Sequence, residues 1–292
     1  MSSKSSVAGY AAGIAAGVSY GFNPLFAKYL MTEHIPVYTI LLYRYAIAAV
    51  LMLALMLICK ESPRIRKDQL PLLLLLGIIF AGSSIGLFEA YNYIPSGLAT
   101  TIIYLYPVFT ALIMLFLHKS PTPKTWVAIG VTLAGVILIC LPSGGVVLKV
   151  AGLVLSVMSA LCYALYLVIV NNSRHISDVS AHTITLYGLA TGAVLFTAIS
   201  IIKGYPIVGV FHTGVEWGCI LGLAIIPTLI SMLALAIATR SIGPSKTAVL
   251  GVFEPLTAIL IGLLAFGEKL TLSIICGIVL CIAAITFMAT DR

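Results

Sequence analysis

Apolar residues run along this chain in blocks of about twenty, separated by short polar breaks. Ten blocks can be marked, at about 7–29, 36–59, 70–93, 95–117, 124–142, 150–171, 181–202, 215–239, 244–266 and 271–289. Crossing about 30 Å of hydrocarbon at 1.5 Å per residue takes roughly 20 mostly apolar residues, so each block predicts one membrane-spanning helix. Open sheets cannot satisfy their backbone in lipid, which leaves helices as the form of the spans. The first block has some features of a signal peptide, because Lys4 precedes a small-residue run containing Ala15-Ala16-Gly17. It continues through Leu25-Phe26, however, and has a counterpart in the sixth block, so it is read as span one.

The second five blocks resemble the first five. Thr39-Ile-Leu-Leu-Tyr43 in span two matches Thr183-Ile-Thr-Leu-Tyr187 in span seven, and Ala49-Val-Leu51 matches Ala193-Val-Leu195 at the same offset. Tyr20 falls opposite Tyr163. In spans four and nine, Tyr106-Pro107 with Thr110-Ala111 aligns on Glu254-Pro255 with Ala258-Ile259. Both follow very short turns, Ile94-Pro95-Ser96-Gly97 and Ile242-Gly243-Pro244-Ser245, and proline in a helix's first turn loses no hydrogen bond. Spans three and four, and eight and nine, are therefore expected to be tight antiparallel hairpins. Five spans per unit turn the second copy over in the bilayer. The expected fold is an all-α polytopic membrane protein of ten transmembrane helices in two inverted five-helix repeats, residues 1–144 and 145–292.

Composition narrows this further. Hydrophobic residues make up 61% of the chain and charged ones 9%, with a mean hydropathy of +1.16, which excludes an ordinary soluble core. One set of loops carries Lys4, Lys60, Arg64, Arg66, Lys67, Lys119, Lys124, Arg174, Arg240, Lys246 and Arg292; the other carries Lys28, Lys149, Lys203 and Lys269. Positive residues favour the cytoplasm, so both termini are expected there. The net charge of +7 is then mostly topology, with Lys60 to Lys67 able to touch anionic headgroups, and nothing supports nucleic-acid binding. Six cysteines lack paired spacing and five histidines lie in loops or at a span edge, so neither a metal site nor a cofactor is expected. The longest loops, near 60–69 and 203–214, are too short for a soluble domain, and an ATP-driven pump would need a partner.

The turn Ile94-Pro-Ser-Gly-Leu-Ala99, Leu105-Tyr106-Pro107, Phe253-Glu254-Pro255 and Gly267-Glu268-Lys269-Leu270-Thr271 together resemble the EamA family of the drug/metabolite transporter superfamily. The likeness covers essentially the whole chain. It implies a ten-helix carrier with both termini inside, usually exporting amino acids or other small metabolites, in the inner membrane of bacterial members. In the first repeat Ser120 stands where Glu268 stands in the second, so the role of that glutamate has no counterpart there.

Site chemistry follows from polarity at costly depth. Arg44, Glu89 and Glu254 are the ionisable side chains well inside spans, where a charge costs about 2.5–3.5 kcal/mol on insertion scales. Arg44 and Glu89 lie at similar depths below one membrane face, which suits either a structural salt bridge or a zwitterion site, the arginine taking a carboxylate and the glutamate an ammonium. Glu254 lies near the midplane, followed by Pro255, which leaves the Gly251 carbonyl without its helical donor. A carboxyl taking up and releasing a proton there would couple transport to protons; an architectural role is the competing reading. Pro24, Pro107, Pro227 and Pro255 mark interruptions of the kind that open backbone to substrate, and Asn23-Pro24 has no match in span six. Among tyrosines within spans, Tyr20, Tyr104 and Tyr163 lie closest to mid-depth and suit an aromatic or amphipathic solute.

The expected activity is secondary transport of a small organic solute, with export of amino acids or related metabolites by alternating access foremost. A multidrug exporter, a metabolite importer and a non-transporting scaffold remain open.

Overall fold

In the computed structural model of the chain, residues 3–116, 123–140, 149–242 and 250–289 are described, and every regular element among them is helical. In chain order they are α1 (Ser3–Gly21), α2 (Asn23–Thr32), α3 (Val37–Ile58), α4 (Leu70–Ala90), α5 (Ser96–Ile103), α6 (Tyr106–Phe116), α7 (Pro123–Cys140) and α8 (Val150–Asn172). After a short turn of 3-10 helix follow α9 (Ala181–Ile202), α10 (Gly214–Ala224), a π-helical turn (Ile225–Ile230), α11 (Ser231–Ile242), α12 (Phe253–Phe266) and α13 (Leu272–Ala289). Among the described residues, six helical runs are long and apolar enough to cross a membrane: Val37–Ile58, Leu70–Ala90, Ser96–Phe116, Val150–Val170, Ala181–Ile202 and Gly214–Leu235. The predicted turn at 243–245, Ser120 with its neighbours and the chain's last three residues lie outside the described residues.

Most described helix ends fall within a few residues of the expected spans, the expected start of span nine at 244 lying outside the described residues, but several spans are not single helices. Span one breaks at Phe22, between α1 and α2; span four breaks at Tyr104-Leu105, between α5 and α6. Span eight passes through the π turn, and a turn at Gly251-Val252 precedes α12. Each intramembrane proline stands at one of these interruptions. Pro24 and Pro107 are the second residues of α2 and α6, Pro255 is the third of α12, and Pro227 lies inside the π turn. The missing N–H therefore falls where a helix starts or is already widened.

The repeat is legible in the helix ends. α3 and α9 begin at Val37 and Ala181 and end at Ile58 and Ile202, 144 positions apart both times. Their terminal turns carry the same bonds, Glu61 N–H to the Met56 carbonyl and Tyr205 N–H to the Ser200 carbonyl, both 2.8 Å. At the matching left-handed position stand Lys60 (φ 57°) and Gly204 (φ 68°), glycine being the residue that adopts it with least strain.

Packing follows the same symmetry. α7 lies on α13 and α3 on α9, while α4 packs on α8 as α11 packs on α1, so exchanging the repeats leaves the set of pairings unchanged. Small residues allow close approach: a Cβ at Gly21 would meet the Glu254 carbonyl oxygen at 2.7 Å, and one at Gly86 would meet that of Leu155 at 2.7 Å. We call the end holding Arg64, Arg66 and Lys67 the basic end. The main core runs the length of the bundle, from Ile35, Val37, Val210 and Phe211 at the opposite end to Met56 in the last turn of α3. At the basic end a separate small cluster forms around Leu73, Leu76, Ile176 and Ile184.

Candidate transport site

The four interruptions meet. Arg44 of α3 donates from Nε to the Thr228 hydroxyl in the π turn, 3.0 Å away. Tyr20, just before the break in span one, is an electrostatic neighbour of both Arg44 and Glu254. Tyr104 and Tyr106, which flank the break in span four, are electrostatic neighbours of Glu254 in turn.

Two of the breaks are mended by a side chain next to the proline. Pro24 has no N–H for the Tyr20 carbonyl, and Asn23 Nδ2 donates to that oxygen at 2.8 Å. Pro227 has none for the Leu223 carbonyl, and the Thr228 hydroxyl donates to it at 3.0 Å. Thr228 therefore links the guanidinium of Arg44 to a backbone carbonyl in one chain of hydrogen bonds. Asn23 is 1% exposed, and its Oδ1 has no hydrogen-bond partner among the described residues. In span nine the expectation that the Gly251 carbonyl lacks a donor is corrected: the turn tightens and the Glu254 N–H reaches it at 3.0 Å.

Arg44 is 4% exposed and lies over the Phe88 ring at 5.2 Å. The ring and Thr228 offset part of the cost of holding a guanidinium at this depth. Around it runs an aromatic wall. Tyr104 and Tyr106 meet edge to face at 5.9 Å, Tyr106 and Tyr163 likewise at 4.7 Å, and Tyr163 lies parallel to Tyr166 at 6.4 Å. Tyr20, Tyr106, Tyr163 and Glu254 are mutual electrostatic neighbours, yet each is only half-buried. These mid-span side chains form one polar and aromatic cluster that keeps some accessible surface. Tyr104, at 0% exposure, lies behind it.

Glu89 is elsewhere. It sits at the last turn of α4, where its Oε2 accepts from Asn92 Nδ2 at 3.2 Å. There it lines a separate cavity of about 270 Å³ with His34, Pro36, Tyr38 and Tyr205 at the opposite end. Arg44 and Glu89 form no ion pair, so the two-poled arrangement drawn from their similar depth is not assembled. Pro107 lies at the start of α6, its side chain outside the described residues.

Glu268 has a defined job. From the loop after α12 it crosses to the start of α5, where Oε1 accepts from the Ser96 N–H at 2.8 Å, the Ser96 hydroxyl at 2.7 Å and Lys28 Nζ at 2.5 Å. Oε2 takes the Gly97 N–H at 3.3 Å. A carboxylate on the free amides of a helix start is a cap supplied from the other repeat. Burial raises its pKa, but the bonds from Lys28 and Ser96 outweigh that and hold it below the ordinary value of 4.5.

Sequence reasoning passed over Tyr91, Tyr106 and Thr228. Tyr91 bonds Thr100 at 3.3 Å and neighbours Tyr20, Arg44 and Glu254. For Tyr106 the signal was its alignment with Glu254 in the repeat; for Thr228 it was adjacency to Pro227.

An all-helical bundle with two interlocked repeats, apolar spans broken at mid-depth and a polar cluster at the breaks defines a multi-pass membrane protein. The chain belongs to the EamA-like transporter family, whose pattern matches residues 7–141 and again 150–290, within the drug/metabolite transporter superfamily. It is 25% identical over 180 residues to an uncharacterized transporter of Archaeoglobus fulgidus, covering 62% of each chain. To an uncharacterized transporter of Synechocystis sp. it is 27% identical over 214 residues, 70% of this chain and 62% of that one. The chain thus spans 62% of the length of these relatives. A protein of solved crystal structure shares the fold, with a TM-score of 0.67 at 19% identity over 98% of this chain and 96% of that one.

Proposed function

We propose that the protein is a secondary transporter that exports amino acids or related small metabolites across the cell (inner) membrane by alternating access. The units 1–144 and 145–292 are inverted five-span repeats, both termini are cytoplasmic, and the basic end faces the cytoplasm. The observation that carries this reading is the mid-bundle cluster in which Arg44, Tyr20, Tyr106, Tyr163 and Glu254, drawn from both repeats, come together at broken spans. In this reading Arg44 takes the carboxylate of a zwitterion, Glu254 serves an ammonium or a coupling proton, and the unpartnered Asn23 Oδ1 supplies a further acceptor.

The tyrosine wall favours one second reading, export of aromatic or amphipathic drugs, because phenol rings recognise flat solutes without a carboxylate. Counterflow in proteoliposomes preloaded with amino acids, small metabolites and cationic dyes separates the two. Exchange of amino acids that Arg44→Ala removes supports the first; exchange of dyes alone, indifferent to Arg44→Ala, replaces it with the second. If Glu254 carries the coupling proton, Glu254→Gln flattens the pH profile of exchange, and an unchanged profile assigns it to architecture.

A further inference from the structure

The matched motif Thr39-x-x-x-Tyr43 and Thr183-x-x-x-Tyr187 is not used by the central site, and its two copies are in different states. At the opposite end the first copy is closed onto the loop after α9. The Thr39 hydroxyl donates to the Pro206 carbonyl at 3.0 Å, and the Tyr43 hydroxyl to the Ile207 carbonyl at 2.8 Å. Tyr43 also meets Phe211 edge to face at 4.9 Å, and Tyr38 stacks with Tyr205 at 5.9 Å.

The repeat offset that relates α3 to α9 names the counterparts at the basic end. Thr183 and Tyr187 correspond to Thr39 and Tyr43, Ser62 and Pro63 to Pro206 and Ile207, and Glu61 and His182 to Tyr205 and Tyr38. Among the described residues neither hydroxyl bond is made there. Thr183 Oγ1 instead faces Ser180 Oγ at 3.0 Å. A cavity of about 400 Å³ lies between Ser62 and Thr183, against one of about 270 Å³ beside Tyr38 and Tyr205 at the opposite end. The loops here are joined by His182 Nδ1 to Glu61 at 2.8 Å, Arg66 to Asp178 at 3.8 Å, and Gln69 Nε2 to the His175 carbonyl and Asp178, with Ile65, Val179 and Tyr187 packed on a small apolar cluster. The apolar cluster beside it is separate from the main core.

We infer that the two Thr-x-x-x-Tyr pairs are the gates of the carrier, the opposite-end gate zipped here and the basic-end gate unzipped. This rests on the transport reading above. In an inverted-repeat carrier the second conformation is reached when the repeats exchange their shapes. The alternate state therefore makes Thr183 to Ser62 carbonyl and Tyr187 to Pro63 carbonyl bonds while Thr39 and Tyr43 release Pro206 and Ile207. A backbone carbonyl partner suits such a gate, since it stays in place whatever side chain the loop carries. The polar links and the small apolar cluster at the basic end then hold the loops together while the two hydroxyl bonds are unmade.

The test uses two cysteine pairs, Thr39→Cys/Pro206→Cys and Ser62→Cys/Thr183→Cys, in full-length protein whose native cysteines are replaced, with solute exchange assayed in parallel. Cross-linking with a short bifunctional thiol reagent is timed in each pair alone and with Tyr43→Phe or Tyr187→Phe added. Each change deletes one hydroxyl and preserves the ring. The gate assignment expects the first pair to react faster than the second. Tyr43→Phe should slow the first and speed the second by about fivefold, the shift in a two-state equilibrium worth one hydrogen bond. Tyr187→Phe should act in the opposite sense. Equal rates for both pairs, or phenylalanine changes that lower stability without opposite shifts, overturn it. Because cross-linking needs no solute, alternating rates without exchange of any solute would fault the transport reading while leaving the gates in place.

Discussion

Spans one and eight differ from span four in how their open backbone groups are satisfied. The first two are mended in cis at their breaks: Asn23 and Thr228, each beside a proline, donate to the carbonyl that the proline leaves open. Span four is supported in trans at its start, because the exposed amides of α5 are capped by Glu268 from the other repeat. A cis repair moves with its own helix. A trans cap ties two repeats together, so it marks a contact that persists or breaks as a whole when one repeat rocks against the other.

The largest expected effect lies where a cis repair also holds a charge. Arg44→Ala removes the guanidinium but leaves Thr228 bonded to the Leu223 carbonyl, so the helix keeps its mended break. Flux should fall by roughly 10- to 100-fold, the worth of lost hydrogen bonds to a charged group. The thermal midpoint in detergent should move little. A large drop in the midpoint with residual flux intact would make Arg44 a strut. Arg44→Lys sharpens the point, because an ammonium cannot hold Thr228 and a carboxylate in the same fork geometry, and it should rescue poorly.

Next comes the trans cap. Glu268→Gln keeps the shape but strips the charge that Lys28 and the Ser96 amide need, at an expected cost of roughly 2 kcal/mol. Its pH signature has a definite sign. A carboxylate whose folded pKa is depressed stabilises fully above the ordinary value of 4.5, and that contribution is lost as pH falls through the lowered value. The advantage of the native chain over Glu268→Gln should therefore be constant from neutral pH to about 5 and shrink below 4.5. An advantage that does not change with pH would show that the cap works by shape alone.

These contrasts also explain which parts were legible in the sequence. The apolar helices and the repeat were, because both depend on local composition and on offsets along the chain, and all four intramembrane prolines stand at helix interruptions. The pairing of Arg44 with Glu89 was not. Residue counting gives depth along a helix axis but not the face a side chain presents; Arg44 points to the π turn and Glu89 to a rim cavity. The destination of Glu268 was hidden for a related reason, since Ser96 lies 172 positions earlier and only the folded hairpins bring them together. Tyr20, Tyr163 and Glu254, singled out because polarity at mid-depth is itself a signal, do come together at the breaks.

A smaller effect attends Thr228→Val, which removes the donor to the Leu223 carbonyl and the acceptor for Arg44 together. The buried carbonyl is left open at a cost of about 1–3 kcal/mol, and Thr228→Ser should restore most of it. Adding Pro227→Ala to Thr228→Val returns a backbone N–H to the mended site, so stability should recover while flux stays impaired, Arg44 having lost its acceptor. Recovery of both would mean that Thr228 serves only the helix.

The smallest effect isolates cis repair from any charge. Asn23→Leu should cost about 1 kcal/mol, the net worth of one neutral hydrogen bond. Pro24→Ala by itself restores an amide that the Asn23 side chain already replaces, so it should change little. Combined with Asn23→Leu it should return the lost stability, because the restored backbone N–H then donates to the Tyr20 carbonyl, and the two changes should be strongly non-additive by thermal unfolding. Additive losses would show that Asn23 is kept for its unpartnered Oδ1 instead. That oxygen is the one polar atom here that cis repair leaves unspent, and a binding contact is the role it would then have to fill.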